Sequence, residues 1–106
     1  MTEQIQSQKD FDSKVHSSKG GMMLLFHSIN PDKDLLTKYE KQAFDNCGKK
    51  YPVFTINIDV LKLASADVIK YQDGVRTICC TILKNDIAVF KGINPDEDEV
   101  SINIQC

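Results

Sequence analysis

No surplus of basic charge exists in this chain: 13 lysines and arginines stand against 15 aspartates and glutamates, for a net charge of -2. With no basic patch standing out to neutralise phosphates, the charge argues against nucleic acid as an electrostatic partner. Long apolar runs are missing as well. The longest, such as Met22 to Phe26, fall far short of a membrane span, and MTEQIQSQKD at the start has no apolar leader segment. The expectation is a cytoplasmic protein with no membrane contact. Repeats, low-complexity tracts and linker-like stretches are absent, so residues 1–106 read as a single domain. Cysteine is present without a pattern: Cys47, Cys79, Cys80 and Cys106 have no metal-ligand spacing. They read as thiols in a reducing compartment, with no metal and no cofactor implied. Cys106, the last residue given, is expected to be mobile enough to link two chains on oxidation.

What is there suits a soluble globular domain, 42% hydrophobic and 26% charged, with length enough for a core. Glu3 to Gln6 reads as a short strand, and Ser7 with Asp10 three residues on opens a helix over QKDFDSKVHSS, ended by Gly20-Gly21. His16 on that helix reads as a surface residue. Met22 to His27 is a strand, and Asp32 to Cys47 a long helix with Leu35, Leu36, Tyr39, Ala43 and Phe44 on its apolar face and Gly48 as its stop. Its lysines at 33, 38, 41, 49 and 50, interspersed with Asp34, Glu40 and Asp45, read as an ordinary solvated face. Val53 to Ile58 is β-branched and apolar. Asp59 opens a helix through Leu61, Ala64, Val68 and Ile69, closed near Asp73-Gly74.

Ile78 to Leu83 reads as a buried strand, joined by a tight turn at Lys84-Asn85-Asp86 to Ile87 to Lys91. Asn94 as cap and Pro95 in the first turn, followed by Asp96, Glu97, Asp98 and Glu99, predict a final helix whose acids match its dipole. Consecutive acids on one turn point in different directions and suit no compact cation cage. The resulting order, βαβαβαββα, predicts an α/β fold: a mainly parallel, finally mixed sheet flanked by helices, the closing hairpin adding an antiparallel edge.

The stretch that bears most on function is MMLLFHSINPDK, Met22 to Lys33, where a buried strand hands over to a helix through a short polar turn. Unpaired amides at a helix N-terminus stabilise an anion such as a thiolate, which makes such junctions chemical sites. No cysteine is found at this one. His27 with Asp32 has the composition of an acid-base pair, but only Ser28 accompanies it as a nucleophile, and His27 and Ser28 read first as a solvated turn.

The junction resembles that of the thioredoxins, whose second strand ends in phenylalanine, tryptophan and alanine before Cys-Gly-Pro-Cys-Lys at the head of a long helix. With two residues missing from the turn, Phe26 takes the phenylalanine and Ile29-Asn30-Pro31-Asp32-Lys33 falls on the motif. Thr55-Ile56-Asn57-Ile58-Asp59 resembles the family's third strand, Val75 and Lys84-Asn85-Asp86 flank the fourth, and Gly92 follows the fifth as a family glycine does. The resemblance implies a thioredoxin-like fold over nearly the whole chain.

It also implies what has been lost. Ile29 and Asp32 stand at the cysteine positions, Leu25 at that of the buried aspartate, and Ile78-Cys79-Cys80 where the family has Ile-Pro-Thr with its cis-proline. Dithiol exchange needs a low-pKa nucleophile and a resolving thiol, neither of which is present here. The expected function is that of a redox-inactive adaptor, not an enzyme, holding a protein or peptide partner in a groove lined by His27, Ser28, Ile29, Asn30, Pro31 and Asp32 opposite Ile78 and Cys79. The alternative is a monothiol oxidoreductase or thiol sensor acting through Cys79 or Cys80. Against it, adjacent cysteines in a doubly buried strand read as packing residues, and a bond between them needs a distorted peptide.

Overall fold

In the computed structural model, which describes residues 2–15, 20–28, 30–58 and 77–106, the elements run β1 (Thr2–Ile5), α1 (Gln8–Val15), β2 (Gly21–His27), α2 (Lys33–Cys47), β3 (Val53–Asn57), β4 (Ile78–Lys84), β5 (Ile87–Ile93) and α3 (Glu97–Asn103). The predicted helix from Asp59 through Leu61, Ala64, Val68 and Ile69, together with His16, Ile29 and Val75, lies outside the described residues.

The five strands form one mixed sheet in the order β1-β3-β2-β4-β5. β3 runs parallel to both β1 and β2, whereas β4 is antiparallel to β2 and β5 antiparallel to β4. The expectation of a mainly parallel sheet is thereby corrected: the chain leaves β3 and enters β4 at the same end of the sheet, so half of the pairings are antiparallel. β2 lies between β3 and β4, and all seven of its residues are buried. Alternation along the strand then divides two cores. Met23 and Leu25 join Tyr39 and Ala43 of α2 and Val100 of α3 on one face. Met22, Leu24 and Phe26 join Val15 and Phe11 of α1 on the other.

Local chemistry fixes the boundaries. Ser7 Oγ accepts from the Asp10 amide at 3.0 Å, and the Asp10 carboxylate accepts from the Gln6 amide at 3.2 Å, a reciprocal cap on α1. That amide, helped by Lys14, holds the Asp10 carboxyl below its usual range. Gly20-Gly21 does not simply end the helix, because Gly21 belongs to β2 and is buried. Asn85 and Asp86, both at positive φ (52° and 65°), make the two-residue turn between β4 and β5, a conformation that Asn and Asp tolerate better than other side chains.

α2 ends at Gly48, at φ 77°, whose amide donates to Phe44 O at 2.8 Å. Phe44 itself is 53% exposed, so the apolar face predicted for α2 is narrower than its periodicity suggests: Tyr39 and Ala43 are buried, while Leu35 and Leu36 are only partly covered. Of the helix lysines, Lys41 pairs with Asp45 at 2.8 Å and Lys38 reaches Glu97 at 3.4 Å.

Two further expectations are corrected. Asn94 is not the cap of the last helix: its Oδ1 accepts from Ile78 N at 2.7 Å and its amide donates to Ile78 O at 2.8 Å, and Asp96 holds the cap position. A left-handed φ of 42° turns the Asn94 side chain back onto β4. The second correction concerns sulfur. Cys47 and Cys106 are not thiols but are joined as a disulfide, with Cα atoms 5.5 Å apart. Cys106 therefore has no thiol with which to link a second chain.

Candidate functional site

Strand direction gathers one set of chain ends together. The carboxyl ends of β2 and β3 lie at the same end of the sheet as the start of β4 and the end of β5, because His27 pairs in register with Ile78, and Cys79 with Ile93. In open sheets of this kind ligands meet the protein beyond the carboxyl ends of the parallel strands. The strand-to-helix junction therefore sits where the topology favours a site.

The junction residues take distinct roles. His27 closes β2 and is 7% exposed, with Nδ1 2.7 Å from Ser28 O; as the carbonyl can only accept, Nδ1 carries the proton in that contact. The expectation of a solvated turn is corrected for His27, which strand burial takes out of water, while Ser28 is half-buried. Asn30 is exposed, and Pro31 and Asp32 are half-buried.

Asp32 sits at φ -72° and ψ 99°, and its Oδ1 accepts from the Leu35 amide at 3.1 Å. The carboxylate thus answers the free amides and positive dipole end of α2, the position at which a reactive thiolate would otherwise be stabilised. With His27 turned to Ser28 O and Asp32 to the helix, the two do not form the acid-base couple their composition suggests.

Across the junction, Ile78 and Cys79 do not line an open groove. Both are 0% exposed, since the start of β4 is covered on one side by His27 and on the other by Asn94, which holds both backbone polar groups of Ile78. Cys80 is also 0% exposed, and the two cysteines face opposite cores as strand alternation requires.

Burial, reinforced by the neighbouring Cys79, pushes the Cys80 thiol up to about 12, the reverse of what a nucleophilic cysteine needs. Iodoacetamide at pH 7 is accordingly expected to leave both thiols unmodified in the native protein and to label both in denaturant, read by intact mass. The sign for stability follows: the unfolded chain releases the Cys80 proton near its ordinary value and the folded chain does not. Its contribution therefore declines as pH rises from about 9 toward 12.

Some residues that shape this molecule gave no sequence signal. Asn94 read as a helix cap because Asn-Pro before acids is a start pattern, and only the fold brings Ile78 beside it. Tyr39 donates its hydroxyl to Pro95 O at 2.6 Å, tying α2 to the segment before α3, and burial raises its pKa. Ile93, 53% exposed, stands at the same end of the sheet as the junction and supplies the apolar surface that Ile78 and Cys79 do not.

Among the described residues no group of three or more His, Cys, Asp or Glu side chains is placed to hold a metal ion, and no helix is long and apolar enough to cross a membrane. Compared with known proteins, the chain matches no family model and no curated sequence.

Proposed function

We propose that this chain is a redox-inactive, thioredoxin-like domain of the cytoplasm that binds a protein or peptide through the junction between β2 and α2. The observation that carries the reading is the Asp32 carboxylate on the Leu35 amide, an anion already in place where the resemblance puts a cysteine. The strand order β1-β3-β2-β4-β5, with parallel and antiparallel halves, supports the thioredoxin-like part of it.

The contact surface on this reading runs from Ser28, Asn30 and Pro31 to the exposed Ile93 at the end of the edge strand β5, where Ile87 is exposed as well. An extended peptide would add to that edge by backbone hydrogen bonds and set apolar side chains against Ile93. The monothiol alternative is not favoured, because Cys79 and Cys80 are both enclosed.

The test is affinity capture from native lysate with four baits: the unchanged chain, Ile29→Asp, Ile93→Asp, and Ile102→Asp as a control on an 81% exposed residue of α3. One protein retained by the unchanged chain and the control, and lost by the other two, is the expected result. Retention by all four baits would overturn the proposal.

A further inference from the structure

We propose that the Cys47–Cys106 disulfide is a reversible fastening that holds residues 104–106 over Tyr51, and that a dithiol reductant opens the cleft beneath it. Cys47 is the last residue of α2 and half-buried, whereas Cys106 is exposed and open to attack by a thiolate from solution. The segment between α3 and Cys106 is pressed onto the sheet. A methyl group at Gly21 would collide with Gln105 O and come within 2.8 Å of Tyr51 Cε2, so strand, strap and ring lie in contact.

Lys84 Nζ donates to Cys106 O at 2.7 Å, and the Ile104 amide to Val100 O at 3.2 Å. Apart from the disulfide, then, the strap is held by these two hydrogen bonds, the partly buried Ile104 and the packing of Gln105 against Gly21. A cleft of about 290 Å³ opens between it and Gly20, Lys50 and Pro52.

Tyr51 forms the floor of the cleft. Its side chain is 4% exposed, and its hydroxyl is buried with no hydrogen-bond partner among the described residues. The hydroxyl lies on the side of the buried Cys80, so the strap meets the ring at its edge and not at its polar end.

The exchange balances as follows. One thiolate of the reductant attacks Cys106 Sγ, forming a mixed disulfide and expelling the Cys47 thiolate, which takes a proton. The second thiol of the reductant then displaces the Cys106 thiol. Two electrons and two protons pass to the protein, and the reductant is left as its own disulfide.

Hydrogen exchange of the full chain, read by mass spectrometry before and after reduction with dithiothreitol, tests the proposal. Exchange at residues 104–106, 50 and 51 is expected to rise on reduction at least tenfold more than the general rise that lower stability gives the amides of β2 and β4, and to fall again when oxidised dithiothreitol is added. Cys106→Ser should give the open pattern without reductant. Gly21→Ala, which pushes against the strap from below, should give faster reduction with the disulfide initially intact. Unchanged exchange at 104–106 on reduction would overturn the proposal, as would a rise there no larger than that of the β2 and β4 amides, which would make the bond a plain structural staple.

Discussion

Leu25→Asp is expected to abolish folding at neutral pH. Leu25 is 0% exposed in the most enclosed strand of the sheet, between Thr55 of β3 and Cys80 of β4, and packs with Tyr39, Ile78 and Ile82 in the larger core. Among the described residues no cation is placed there to compensate a carboxylate, and an unpaired buried charge costs several kcal/mol even after relaxation, against a total stability on the order of 5–15 kcal/mol.

A graded series gives the argument its control. Leu25→Met should cost less than about 1.5 kcal/mol, and Leu25→Ala about 2–5 kcal/mol through lost transfer energy and the cavity left behind. Urea midpoints should fall in the order Met, Ala, Asp. Burial raises the pKa of the new carboxyl, so the deficit should shrink as pH falls toward about 4, the unfolded value, and level off below it. In the thioredoxins that the junction resembles, a buried aspartate stands at the position matched by Leu25. A well-folded Leu25→Asp protein would reveal a hydrated pocket that the present reading lacks.

Cys106→Ser should lower stability by about 4 kcal/mol, the loop-closure entropy that a cross-link spanning 59 positions removes from the unfolded chain. The measurement is urea unfolding of both proteins with and without dithiothreitol. Reductant should bring the unchanged chain down to the level of Cys106→Ser and leave the variant where it was. The slope of the transition should rise slightly as well, since an unlinked chain exposes more surface on unfolding. Equal midpoints for the two oxidised proteins would mean that the bond closes no loop that matters to the fold.

Much of this architecture was legible in the residues because local signals agreed with the tertiary outcome. The apolar run from Met22, the Asp32 cap with Gly48 fifteen residues beyond Lys33, and the turn at Asn85-Asp86 each specify an element without help from distant parts of the chain. What stayed hidden is long-range. A spacing of 59 residues says nothing about whether Cys47 and Cys106 meet, and Asn94 carries a plausible local role that its contact with Ile78 displaces. Phe44 satisfies the helical period and is nevertheless exposed, since periodicity gives a face but not the width of what covers it.

At the site the balance was similar. The missing thiol at the junction and the carboxylate at the head of the long helix were readable in the sequence. The enclosure of His27, Ile78 and Cys79 was not, because it depends on strand neighbours that only the sheet order supplies.

The central claim is that the strand-to-helix junction has the form of a contact surface and no means of passing electrons. Insulin reduction, followed as turbidity in dithiothreitol, measures this directly. The account predicts a rate equal to that of dithiothreitol alone for the full chain. Acceleration above that baseline, persisting in Cys106→Ser and abolished by Cys79→Ser, would contradict it.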